Sequence, residues 1–387
     1  MNLNADASCL SAERWLSMLE GGKESYFFQF LNTYVKTGKK ASLGVPGATV
    51  ADIVKFNPES IELINAHPEI FEVILRPFSH DIALLRSSQG FKLNLEAGIQ
   101  TLRSAFGTYT PFYLPPEFML TSEQINLLQS YEVDGIFINP TRFRAEIKNR
   151  IPTSPYEMQG MFDSKIRAIP FEDELTKKYL NSIHAYDARE WNKQILFSER
   201  ENIFCWRDGE STFFIPDGNA REEAWLATEH SDIERVFLKD IIPTLNFDDA
   251  NALPKNNYRH YPVHSFSAWM KEFRMLGFIQ SLQKIEERLD ELSFTQLSIW
   301  LQTINSDILS AVEKNSPVIQ IQKAKDNKEK QTFTIWRSER NFEGQEYLNI
   351  LLRADEEGIQ KYLQENQQPH IKKLRSRIEY LHEEGIH

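Results

Sequence analysis

Cysteine is nearly absent from this chain. Cys9 and Cys205 are the only two among 387 residues, and neither stands in a CxxC or zinc-type spacing, which argues against a disulfide framework. Positive charge is also in deficit. Lys and Arg number 44 against 55 Asp and Glu, for a net charge of −11, where a general nucleic-acid surface would be basic. No apolar run approaches the ~20 residues that a membrane helix needs. The stretch from Met1 to Asp6 has neither a basic segment nor a long apolar one, so no signal peptide is expected. GxGxxG and GxxxxGK[ST] are missing throughout, which removes the two common glycine-rich phosphate cradles. The expectation is a soluble cytoplasmic protein with no cofactor, no nucleic acid and no membrane partner.

Apolar and aromatic residues are plentiful, at 41% and 12%, enough for a large core in two or three domains. Short apolar runs alternate with helical patterns over the first half. The expected strands are Asn2–Ala5, Ala41–Val45, Phe71–Arg76, Tyr109–Leu114, Gly135–Asn139, Lys165–Ile169 and Ile203–Trp206. Helical periodicity covers Ala12–Glu20, Ser60–Asn65, Leu93–Ala105 and Ser122–Gln129, the last with Thr121 and Gln124 spaced as a capping box. Strand–helix alternation predicts a parallel sheet with flanking helices. Seven strands without a phosphate loop favour a barrel over a dinucleotide-binding sheet. The fold class is therefore α/β, an irregular (β/α)7 barrel over residues 1–247. Polar residues Asp248–Asn257 read as a linker. Residues 258–387 read as a mainly helical C-terminal domain, with helices over Ser265–Leu292, Leu297–Val312 and Ile371–His382. Val318–Ile321 and Thr332–Trp336 form a short hairpin in this reading.

The chemistry concentrates at strand ends. The apolar run Pro111–Leu114 is stopped by Pro115 and Pro116, since proline cannot donate into a ladder, and Glu117 follows at once. A carboxylate just past the carboxyl end of a buried strand is where barrels keep catalytic groups. Phe71–Arg76 runs in the same way into His80 and Asp81. A plainer role for this pair is capping a helix from about Ile82, with Ser79 or Asp81 as N-cap. Asp6 ends the first strand. Asp208 lies just past Ile203–Trp206, with Asp208-Gly209 also a common turn dipeptide. Two carboxylates flanking one bond are the minimal equipment of a glycosidase. His184, beside Tyr186, and His264, near Tyr261, could stack on a sugar face, as could Trp206. His260 and His264 form the one HxxxH pair, but Pro262 between them works against a regular helix. No other spacing marks a metal site.

These segments resemble the motifs of glycoside hydrolase family 57, within the wider group of irregular (β/α)7 barrels that includes the polysaccharide deacetylases. Phe71-Glu72-Val73-Ile74-Leu75 with His80-Asp81 is similar to that family's second motif, with Asp81 in place of a proline. Tyr113-Leu114-Pro115-Pro116-Glu117 is similar to the third, and the resemblance makes Glu117 the nucleophile. Cys205-Trp206-Arg207-Asp208-Gly209-Glu210 is similar to the fourth, which makes Asp208 the general acid. The family's first motif, His-Gln-Pro, is replaced here by Asn4-Ala5-Asp6-Ala7-Ser8. The deacetylase His-x-x-x-His pair is missing too, because residue 84 is Leu. The expected function is a retaining glycosidase or transglycosidase acting on an oligosaccharide, with Asp6, His80, Asp81, Trp206, His184 and His264 binding substrate and no metal. Two alternatives stand beside it. One is a metal-dependent deacetylase of N-acetylated sugars, with a cation on Asp6 and His80, Asp81 as a third candidate ligand, and Glu117 as acid or base. The other is a non-catalytic, glycan-binding or scaffold barrel.

Overall fold

Continuous burial decides where the strands form. In β2 (Phe71–Leu75) and β4 (Gly135–Ile138) every residue is buried, as a parallel strand covered on both faces requires. The other strands are β1 (Ala41–Gly44), β3 (Thr110–Tyr113), β5 (Tyr156–Gln159) and β6 (Lys165–Pro170). The computed structural model describes residues 1, 3, 11–139, 154–159, 164–171, 188–198, 202–214, 217–247, 273–306, 343–352 and 355–386. The six strands form one curled sheet in the order β1-β2-β3-β4-β6-β5, parallel throughout except for β5 on β6. On the free side of β1, Leu3 N–H donates to Gly44 O at 2.8 Å and Gly44 N–H donates to Met1 O at 2.7 Å. The chain start thus extends the sheet beside β1. The architecture is the irregular (β/α)7 type.

Two strand expectations change. Residues 202–207 lie in no strand; Phe204 and Trp206 of this stretch pack on a buried cluster that holds Ile74, Phe112 and Phe137 of the sheet. β5 was not foreseen, because Tyr156-Glu157-Met158-Gln159 has no apolar run. It is an edge strand, whose alternate side chains suit one buried face.

Helices fill the crossovers at Gly47–Phe56, Pro58–Ala66, Ser88–Phe106 and Ser122–Ser130. The capping box forms as expected: Thr121 Oγ1 accepts from Gln124 N–H, and the Gln124 side chain accepts from Thr121 N–H. Neither Ser79 nor Asp81 caps a helix. A single 3-10 turn, Ala83–Leu85, follows them, and the long helix starts at Ser88 with Ser87 as its cap. Gly98 lets that helix press on the strand end, since a Cβ there would lie 2.5 Å from Arg76 O.

The C-terminal helices Phe273–Glu286, Phe294–Thr303, Glu356–Glu365 and Pro369–Glu383 share a buried cluster with Ala48, Phe78, Ile82 and Met119. They pack directly on the elements that carry the loop after β2. The expected linker at Asp248–Asn257 and the hairpin strands Val318–Ile321 and Thr332–Trp336 lie outside the described residues.

Glu72 is the carboxylate inside β2. It is buried and accepts from Ser42 Oγ, Thr110 Oγ1, Leu238 N–H and Lys239 N–H at 2.5–2.8 Å. It therefore pins the chain at Leu238 beneath the sheet. Glu72→Ala leaves these buried donors unmet. The expected loss is about 1.5–3 kcal/mol of unfolding free energy, measured as a lower urea midpoint. An unchanged midpoint would contradict this role.

Candidate active site

The loop after β2 is fixed before any function is asked of it. Asn94, on the long helix, accepts from Ser79 N–H at 2.7 Å and donates to Ser79 O at 3.1 Å. Its backbone carbonyl accepts from Phe78 N–H at 2.9 Å. Ser306 N–H, from the C-terminal region, donates to His80 O at 2.7 Å. His80 is thereby held at the carboxyl end of the sheet, 6% exposed.

Arg76, 1% exposed, joins this loop to the end of β3. Its Nη1 donates to Leu114 O at 2.8 Å and its Nη2 lies 3.1 Å from His80 Nδ1. Guanidinium has only donors, so Nδ1 must accept. The His80 proton therefore sits on Nε2. Burial holds the His80 imidazole below its ordinary value, and the Arg76 cation pushes the same way, against the carboxylates of Glu117 and Asp208. His80 is a neutral donor whose buried Nε2–H faces Glu117.

That Nε2 lies 3.6 Å from Glu117 Oε1, close enough for strong electrostatic coupling though longer than a hydrogen bond. Glu117 and Phe118 both have positive φ, 52° and 55°, where non-glycine residues are rare. Pro115 and Pro116 force the turn, whose carbonyls accept from Phe118 and Met119 N–H. Phe118 anchors it by packing its ring on Trp206 at 5.0 Å and on Phe171 at 5.6 Å. Strain of this kind costs about 1–3 kcal/mol per residue and collects at functional sites.

Asp208 follows the irregular segment 202–207. Its neighbour Arg207 is buried and bonded to Tyr34, Thr212 and Glu222, which fixes the backbone at Asp208. The Asp208 charge is felt by His80. Glu117 and Asp208 both act electrostatically on His80, and Trp206 packs on Phe118 of the Glu117 turn. Asp81 does not join them. It is 2% exposed and pairs with Arg86 at 3.1 Å, while Arg86 also pairs with Glu286 of the C-terminal helices. Burial raises the Asp81 carboxyl to about 6 against the pull of Arg86. Its backbone bridges to Asn305. Asp6, His184 and His264 lie outside the described residues.

Arg76 was missed by sequence reasoning, as was the purely structural role of Glu72. An arginine directly after the buried strand Phe71–Leu75 is a signal that could have found the first. Among the described residues, no three His, Cys, Asp or Glu side chains group as a metal-binding set. No helix among them is long and apolar enough to cross a membrane.

The fold is similar to that of GH57-type branching enzymes. A GH57-type branching enzyme from Pyrococcus horikoshii superposes with a TM-score of 0.60 at 10% identity, covering 97% of this chain and 91% of that one. The GH57 branching enzyme of Thermococcus kodakaraensis gives 0.60 at 10% identity, covering 99% and 94%. Against the 4-alpha-glucanotransferase of Thermococcus litoralis the TM-score is 0.49 at 13% identity, and the match covers 74% of this chain but half the length of that protein. No protein-family model and no curated protein sequence matches the chain.

Proposed function

We propose that this chain is a carbohydrate-active enzyme, a retaining glycosidase or transglycosidase in which Glu117 attacks the anomeric carbon and Asp208 protonates the leaving oxygen. The observation that carries this reading is the Glu117 turn: a carboxylate held with positive φ past the end of β3, 3.6 Å from a buried neutral histidine. His80 Nε2–H supplies a donor for a sugar hydroxyl beside the nucleophile, and Trp206 supplies an aromatic wall. The same fold in GH57 branching enzymes supports a glycan as substrate. Retention requires carboxyl groups about 5–5.5 Å apart when substrate is bound.

The deacetylase alternative places a cation on His80 and Asp6. His80 is poorly suited to it. Its Nδ1 lone pair is taken by Arg76, and its Nε2 carries the proton. A metal at Nε2 requires loss of that proton or of the Arg76 bond, because ligation needs a free nitrogen lone pair. Chelation separates the two readings. Activity on an α-glucan oligosaccharide should survive EDTA and gain nothing from added zinc. Loss in EDTA with recovery on zinc would assign the site to amide hydrolysis instead. Within the glycosidase reading, Asp208→Asn should lower turnover about 10²–10⁴-fold, the usual contribution of a general acid. It should spare substrates with good leaving groups, such as nitrophenyl glycosides.

A further inference from the structure

Arg76 puts a cation where burial disfavours one. It directly follows β2 and is almost wholly shielded from water, and a charge held there is costly unless its surroundings make use of it. Its backbone is fixed by the close approach of the long helix at Gly98. Gly44 of β1 leaves room beside its stem: a Cβ there would lie 3.5 Å from Arg76 Cδ and 2.8 Å from a methyl of Leu114.

The two arms of the guanidinium serve different segments. Nη1 donates to the carbonyl of Leu114, on the run that leads into Glu117, and Nη2 donates to Nδ1 of His80. Leu114 N–H donates in turn to Leu75 O at 3.1 Å. One planar group therefore spans the turn that carries the carboxylate and the loop that carries the histidine. A lysine is a compact point charge on a flexible stem and does not reproduce that fixed fork.

The histidine end has a chemical consequence. Which ring nitrogen carries the proton is set by the bond the other makes. The charged groups that act on His80 are Arg76 from its own loop, Glu117 from the turn after β3, and Asp208 from beyond residues 202–207. Burial is the largest influence against the imidazolium, Arg76 adds to it, and both carboxylates oppose it. Without Arg76 the balance moves toward the imidazolium, since a like charge is lost and the opposite ones remain. A doubly protonated ring would pair with the Glu117 carboxylate and blunt its attack.

We propose that Arg76 is a positioning residue: it holds the Glu117 turn and the histidine loop at one separation, and it keeps His80 presenting a neutral Nε2–H to Glu117. The catalytic side of this rests on the glycosidase reading above.

The test pairs NMR of the histidine ring nitrogens in the isotope-labelled full chain with kinetics, His80 being assigned by its loss in His80→Gln. In the parent, Nδ1 of His80 should resonate as an unprotonated acceptor and Nε2 as a protonated nitrogen. Arg76→Met should give a mixture of tautomers and a ring that takes its second proton at higher pH than the parent's. Its turnover of an α-glucan oligosaccharide should fall about 10²-fold, the scale of a misplacement of about 1 Å, and the loss should deepen as pH falls. Arg76→Lys keeps the charge without the fork. Its turnover should fall by the same factor at every pH, with no rise in the titration of His80. If Arg76→Met misfolds, the parent's tautomer and the Arg76→Lys profile carry the test. A parent His80 protonated on Nδ1 overturns the inference. So does an Arg76→Met chain whose tautomer and pH profile match the parent's, even if it melts lower, because Arg76 would then be structural only. The predicted tautomer change in a chain that cleaves no glycoside would overturn the glycosidase reading and leave the hold of Arg76 on His80 standing.

Discussion

Glu117→Gln is expected to lower glycoside turnover on the order of 10³–10⁶-fold, the scale seen when a covalent nucleophile is removed. Folding should be unaffected. Gln is nearly isosteric, it tolerates the same backbone as poorly as Glu does, and its amide oxygen can still face the Nε2–H of His80 across 3.6 Å. Substrate affinity should be retained, because the sugar hydroxyls keep His80 and the Trp206 wall. The paired readout is rate against a melting curve. A variant that melts normally and turns over normally would make Glu117 a structural carboxylate, and the strained turn would then lack a catalytic reason.

The second large effect concerns stability. Asp52 is fully buried and accepts Nε and Nη2 of Arg377 at 2.7 and 2.6 Å, along with Trp15 Nε1 at 2.8 Å. Arg377 also donates to Gln302 at 2.6 Å. One ion pair thus ties the first helix, Ala12–Leu19, and the crossover helix Gly47–Phe56 to two C-terminal helices. Asp52→Ala strands a buried guanidinium and should cost about 3–5 kcal/mol. Replacing both partners, as Asp52→Leu with Arg377→Met, should recover most of that loss, since the cost lies in the uncompensated charge. Urea denaturation of the three chains measures it. A loss under 1 kcal/mol in Asp52→Ala would show that the pair does not hold the C-terminal helices in place.

Much of this was legible in the sequence, for identifiable reasons. β2 and β4 are buried on both faces, so they read as near-continuous apolar runs, with Glu72 the one polar residue between them. Thr121 and Gln124 report a helix start by local chemistry alone. Glu117 stood out because two prolines mark the strand end without any tertiary knowledge. Other features depend on partners distant in sequence. Ile203–Trp206 is as apolar as a strand, but it is not assigned to one and lines a cavity. His80-Asp81 looked like one functional pair. Adjacent residues diverge, however, and Asp81 turns to Arg86, with Glu286, some 200 residues on, completing the cluster. Arg76 follows a strand run, but its role shows only once β3 brings Leu114 O and the loop brings His80 Nδ1 to its two ends.

The central claim is that Glu117 is a nucleophile at a sugar site shared with His80 and Asp208. Incubation with a 5-fluoro-α-glucosyl fluoride, followed by peptide mass spectrometry, tests it most directly. The account predicts one glycosyl adduct per chain, on the peptide carrying Glu117, with none in Glu117→Gln. An adduct on another carboxylate, or an unlabelled chain that still cleaves α-glucans, would contradict it.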